Sequence, residues 1–310
     1  MVGSIVFHSY KGGTGKTTLA VNVSALLARA GYRVVLLDLD VYAPTLHSYF
    51  GIEPPKWIND FLFEVAEAKD ILTDVTPILS KSAAEGNASH ENNSGKLFVG
   101  FSNPSKDEIY KLEGGTREKV QLLRRFISLR EEIFSAINAD YLIIDTSPGI
   151  RYWSLNALAV ANVLYLALKA GDVDIAGTKK MAADIYSAFS KFGAKPFLIL
   201  NRVAGYCVPN TLLQRQPTPD HSDPSTSSSS TLSLIPGQNE MSQVSKERSA
   251  EIIKNIGINI VAEMPCFCDI MFSEKEFLTV LHDPDHPFSK RIGDLATQSQ
   301  RLLGEKSSNG

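Results

Sequence analysis

The sequence predicts an α/β protein: a doubly wound, mainly parallel sheet with helices on both faces. Short apolar runs that read as strands alternate with stretches whose apolar residues recur every three or four positions. The strand-like runs are apolar throughout, as strands buried on both faces are. Such alternation implies parallel pairing through crossover helices.

The elements follow in order. Ser4–Phe7 is a short β run, and Lys16–Ala30 a helix with Leu19, Val23, Leu26, Leu27 and Ala30 on one face. Gly31 stops it, and "YRVVLLDLD" is a second strand. "KLFVGF" at 96–101 is another strand, and a charged helix over Thr116–Ile137 leads into the apolar strand "YLIIDTSPG" at 141–149. "NVLYLALK" and "KPFLILNRV" repeat the pattern, and "INIVAEMP" is the last clear strand. Residues 81–95 are polar and read as a surface loop. The Pro/Ser-rich stretch at about 214–245 carries too little apolar surface to order itself. Strand–helix order resumes after it, so it is an insertion inside one domain spanning 1–310, closed by a C-terminal helix at about 287–305.

Composition excludes several classes. With 44% hydrophobic and 21% charged residues the chain is an ordinary globular one, and a net charge of −3 supplies no global basic field for nucleic acid. The three cysteines are not in C-x-x-C spacing, which argues against a disulfide scaffold and suits a reducing compartment. The N-terminus runs straight into a strand, so no signal peptide is expected, and no apolar run is long enough to span a membrane. A cytoplasmic location is expected.

"HSYKGGTGKTT" at 8–18 sits between the first strand and the first helix. A glycine-rich turn there offers backbone N–H groups and a positive helix end to a phosphate chain. Gly12, Gly13 and Gly15 permit the tight wrap, with Thr14 and Thr18 in the same cradle. Lys16 would face the β- and γ-phosphates and the Thr17 hydroxyl would ligate Mg²⁺, so ATP or ADP with magnesium is the expected ligand. The strict G-x-x-x-x-G-K-[ST] pattern fails, because Tyr10 stands where its first glycine belongs. Asp38 and Asp40 end the second strand, spaced to share one face on a regular strand; strand-end aspartates often cap helices, but "DVYAP" does not open one cleanly. Asp145 tips the strand "YLIID", within reach of magnesium. Thr146–Gly149 form a turn suited to sensing a γ-phosphate.

With Lys11 at its head, "KGGTGKTT" resembles the deviant Walker A motif of the ParA/MinD family of P-loop ATPases. The resemblance implies that Lys11 reaches the nucleotide of a second subunit across a sandwich dimer, as an arginine finger does. It implies that Asp40 positions the attacking water and that Asp38 supports the magnesium shell. It also places Asn201, Pro265 and Asp269 at the base. The implied protein is a slow ATPase that dimerises on ATP and positions a cargo, stimulated by an unidentified activating protein and cycling on a membrane or non-specific DNA. Neither surface is strongly marked. The tail puts Phe288, Ile292, Leu295, Leu302 and Leu303 on one stripe with Lys290, Arg291 and Arg301 beside it, and reads as docked onto the domain. Lys119, Arg124, Arg125 and Arg130 are diluted by Glu118, Glu131 and Glu132 and read as a solvated face. "DVYAPTL" is also similar to the Mrp-type iron–sulfur carriers, the alternative class. Their C-P-x-C pair is not reproduced: Cys207 falls near its first position, Asn210 occupies the second, and Cys266 and Cys268 stand elsewhere. The cysteines are expected to pack as small buried hydrophobes.

Overall fold

Eight strands form one sheet in the computed structural model: β1 (Gly3–His8), β2 (Arg33–Leu39), β3 (Leu72–Asp74), β4 (Lys96–Gly100), β5 (Tyr141–Thr146), β6 (Val163–Leu168), β7 (Lys195–Val203) and β8 (Ile260–Pro265). The structure describes residues 2–81, 95–113, 115–186, 190, 193–203, 238–272 and 277–304. The strand order is β3-β4-β2-β5-β1-β6-β7-β8, and every pair is parallel except β3–β4. This is the expected doubly wound sheet with one addition: β3, three residues long and antiparallel at the edge, is too short to announce itself in a hydropathy pattern.

The strands sort their side chains by parity. Val35, Leu37 and Leu39 of β2, with Leu142 and Ile144 of β5, face one layer. That layer is α2 (Thr116–Ser135), α3 (Tyr152–Ala159), α4 (Asp172–Met181) and α5 (Gln238–Ile256). Val34 and Leu36, with Tyr141 and Ile143, face α1 (Lys16–Arg29) and α6 (Pro287–Gly304). Each such side chain, fully buried, contributes about 1.5–3 kcal/mol of transfer free energy. That explains why the inner strands carry apolar residues at consecutive positions.

α6 begins at Pro287, whose missing N–H costs nothing in a first turn. Its stripe Phe288, Ile292, Leu295, Leu302 and Leu303 is buried against α1 and the sheet. Ser299 adds a buried hydrogen bond with the Tyr165 hydroxyl at 2.7 Å. The tail docks, as expected. α5 begins at Gln238, so residues 238–245, expected in the polar insertion, are helical. Gly237 closes the Pro/Gly/Ser-rich run, and nothing after it opposes a helix. The rest of the insertion, the polar loop beyond residue 81, and the last six residues lie outside the described residues. No helix among the described residues is long and apolar enough to cross a membrane.

Candidate functional site

Phe7 and Asp145 are register partners across β1–β5, and Asp38 and Asp145 across β2–β5. Parallel pairing therefore delivers the loop after β1 and two aspartates to the same carboxyl edge of the sheet. In that loop Gly13 and Gly15 have φ of 71° and 86°, a region side chains avoid. A Cβ on Gly15 would stand 2.3 Å from Asn201 Nδ2, so glycine is required there twice over. Gly15 caps α1 without a side-chain hydrogen bond, and the first turn holds no acidic residue. The helix end is left for an anion.

Thr17 Oγ1 donates to Asp145 Oδ2 at 2.6 Å. The buried Asp145 Oδ1 has no hydrogen-bond partner, and neither has the buried Thr14 Oγ1. Burial pushes the Asp145 carboxyl up to about 6, against the pull of Lys16 and the Thr17 hydroxyl. Lys16 is buried, and burial lowers its ammonium pKa against the attraction of Asp145 and Asp40. An unsatisfied carboxylate oxygen beside a hydroxyl fits Mg²⁺, which takes such oxygens together with substrate phosphates.

Asp40 lies just past the end of β2, and Ser147 Oγ donates to its Oδ1 at 2.7 Å. Asp38 is engaged with the backbone. Its two oxygens take the backbone N–H groups of Asp40 (3.0 Å) and Leu46 (3.2 Å), and Leu46 opens the short helix Leu46–Phe50. The cap that "DVYAP" did not announce is supplied from eight residues back. Burial, then Asp145 nearby, raises the Asp38 carboxyl well above its ordinary range. Beneath the loop, Thr146 Oγ1 donates to Phe7 O (2.9 Å) and bonds His8 Nδ1 (2.8 Å). The hydroxyl proton is thereby used, so His8 Nδ1 carries a hydrogen. Burial, with the Lys16 charge, depresses the imidazole to about 3. The turn after β5 is tied to the loop as well, through Gly149 N–H on Ser9 O at 2.8 Å.

Lys11 is half exposed, with 46% of its side chain accessible, and sits 3.6 Å from Asp174 in the first turn of α4. The neighbouring Tyr10 lies against Gly177, where a Cβ would stand 2.1 Å from the ring. Arg248 of α5 in turn holds Asp172 at 2.5 Å.

A shallow cleft opens beside the loop, lined by Gly15, Thr18, Asn201, Pro265 and others. Of the three residues expected at a base, Pro265 and Asn201 line it, but Asn201 is already committed. Its Nδ2 donates to Thr14 O (2.7 Å) and its Oδ1 accepts from Arg202 N–H (3.0 Å). Asp269 turns instead to His286 Nε2, at 2.9 Å. The apolar wall comes from Phe267, Ile270, Met271 and Phe288. The signal for it was the run "PCFCDIMF" just beyond the last strand. Cys266 and Cys268 are partly exposed rather than buried, and Cys207 lies outside the described residues. Two basic residues of α2 differ too: Arg125 Nη2 donates to Phe61 O (3.1 Å) and stacks on that ring, and Arg130 Nε donates to Ser4 Oγ (3.0 Å). These two arginines tie α2 to the fold, whereas Arg124 is exposed, as a solvated face requires.

Comparison with known proteins gives four findings. The profile of the CobQ/CobB/MinD/ParA nucleotide binding domain matches residues 5–214. The chain is 28% identical over 167 residues to the chromosome-partitioning ATPase Soj of Treponema pallidum, covering 54% of this chain and 56% of Soj. It is 29% identical over 147 residues to an iron–sulfur cluster carrier protein of Aquifex aeolicus, covering 47% of this chain and 32% of the carrier. It thus spans less than two thirds of the length of these curated relatives. The septum site-determining protein MinD of Pyrococcus horikoshii, solved with Mg-ADP, shares the fold at a TM-score of 0.63 and 16% identity, over 99% of this chain and 100% of that one.

Proposed function

The chain belongs to the CobQ/CobB/MinD/ParA family of nucleotide-binding domains, and from that premise we propose that it is a Mg²⁺-dependent ATPase that pairs on ATP and acts as a positioning switch. The observation that carries this reading is the loop itself: a buried Lys16 and a Thr17–Asp145 pair with one spare carboxylate oxygen, headed by the half-exposed Lys11.

In this reading the N–H groups at the start of α1 bind the phosphate chain and Lys16 lies against its terminal groups. Thr17 and Asp145 would hold Mg²⁺, whose charge offsets that of the phosphates. Asp40 orients the attacking water, and phosphoryl transfer asks little more of a carboxylate than position. Asp38 is a positioning residue: by holding the N–H groups of Asp40 and Leu46 it fixes the loop that carries Asp40. Ser147, bonded to Asp40, and Gly149, bonded to Ser9, couple the turn after β5 to the phosphate loop. The base enters the apolar cleft against Phe267, Ile270 and Phe288, and Asn201 clamps the loop rather than reading the base. Lys11 leaves Asp174 to reach the nucleotide of a second copy, so turnover waits for pairing.

Phosphate release and light scattering on the full chain with ATP and with ADP test this. The expected result is slow Mg²⁺-dependent turnover and a dimer with ATP only. Asp40→Ala should stop turnover and prolong the dimer. A wild-type chain that hydrolyses no ATP, or a dimer indifferent to nucleotide, rejects the reading.

The 29% identity with a cluster carrier supports a second reading, an ATPase that carries iron–sulfur clusters. Among the described residues no group of three His, Cys, Asp or Glu side chains converges as a metal site. Anaerobic purification with stoichiometric iron per dimer would favour the carrier; iron-free protein that pairs on ATP would favour the switch.

A further inference from the structure

Just beyond β8, outside the phosphate site, the Cys266 sulfur stands close to two others. Cys266 leaves β8 with its N–H on Val203 O at 3.0 Å, so the sheet fixes its position. Cys268 opens the helical turn Cys268–Phe272, and Met271 follows three residues later, with its N–H on Phe267 O at 3.2 Å. Spacing of three places Cys268 and Met271 on one side of that turn. Cys266 Sγ stands 3.8 Å from Cys268 Sγ and 3.8 Å from Met271 Sδ. Neither thiol is in a disulfide, both are partly exposed, and Met271 is 38% exposed. Solutes can reach all three.

The spacing and the donor set select the ion. With metal–thiolate bonds of about 2.3 Å, three sulfurs around one ion sit roughly 4 Å apart, and the two separations from Cys266, 3.8 Å each, match that. A thioether is a ligand for soft ions, whereas zinc prefers a fourth nitrogen, thiolate or carboxylate donor. The adjacent carboxylate of Asp269 is engaged by His286. No set of three His, Cys, Asp or Glu donors converges among the described residues.

We propose that Cys266, Cys268 and Met271 form a three-sulfur site for a soft monovalent cation of the copper(I) class, and that filling it weakens nucleotide binding. Two thiols lose their protons to solvent as the ion binds, and the metal keeps its oxidation state. Met271 also lines the apolar cleft. A metal-bound Met271 is held at the thiolates and no longer adapts to a base, and by linkage each ligand weakens the other. The coupling rests on the nucleotide reading above; the metal site does not.

The test is anaerobic titration of the nucleotide-free full chain with copper(I), using bicinchoninate as competitor, with circular dichroism to verify each variant's fold. One tight equivalent is expected. Cys266→Ser and Cys268→Ser should each weaken it by more than the roughly 10- to 100-fold lost with an outer-shell partner, Met271→Leu by less, and Cys207→Ser not at all. No tight equivalent, or one lost in Cys207→Ser and kept in Cys268→Ser, overturns the site. A fluorescent ADP analogue reads the coupling: its affinity should fall severalfold on loading, and an unchanged affinity overturns the coupling while the titration still judges the site.

Discussion

His8 shows how one buried residue ties stability to the phosphate loop. Its ring is fully enclosed under Lys16, with Nδ1 on Thr146 and Nε2 without a partner. Because its pKa falls from 6.5 to about 3 on folding, the unfolded chain binds the extra proton and the folded chain does not. The contribution is present above pH 6.5 and is lost as pH falls towards 3. Between pH 6.5 and 4.5 the loss is about 2 kcal/mol. Chemical denaturation of wild type and His8→Gln over that range should show a difference that shrinks by about this amount towards pH 4.5; parallel pH curves would contradict the assignment. Gly15 gives the second prediction at this scale. Gly15→Ala meets Asn201 Nδ2 at 2.3 Å with φ at 86°, so Asn201 must release Thr14. Nucleotide affinity should fall at least about tenfold, or about 1.4 kcal/mol, in calorimetry, while the fold persists; unchanged affinity would show that Asn201 does not set the loop.

Helices and strands differ in how far their roles could be read ahead. α6 was legible because five large apolar residues recur on one stripe, and the structure buries them against α1 and the sheet. Leu295→Ala should therefore cost about 2–5 kcal/mol in urea denaturation. A helix reserved for a lipid surface would lose nothing, so a change below about 0.5 kcal/mol would contradict docking. β3 was not legible: three residues on an edge carry no period, and their place comes from β4 beside them. The start of α5 was blurred because composition marks the end of a low-complexity run poorly, although Gly237 stood there as punctuation. Two arginines of α2, Arg125 and Arg130, misled for a different reason. Charge pattern places a cation on a helix but does not say that Phe61 and Ser4 lie within its reach.

At the scale of the whole molecule, the site was readable where chemistry fixes both residue type and spacing. Gly13, Gly15, Lys16, Thr17 and Asp145 come together because parallel register carries β1 and β5 to one edge. The base cleft was less readable, since its wall depends on how the chain returns after β8, and Asp269 could as well meet His286 as a base. Lys11 joins the two ends of the account. In the single chain it rests on Asp174, a partly exposed ion pair worth at most about 1 kcal/mol. A bond that weak is readily exchanged for the phosphates of a second copy. Sedimentation velocity of Lys11→Ala with Mg-ATP, beside its nucleotide affinity, tests this most directly. The variant should bind ATP within about threefold of wild type, or about 0.7 kcal/mol, yet remain a monomer; a variant that pairs on ATP as wild type does would contradict the account.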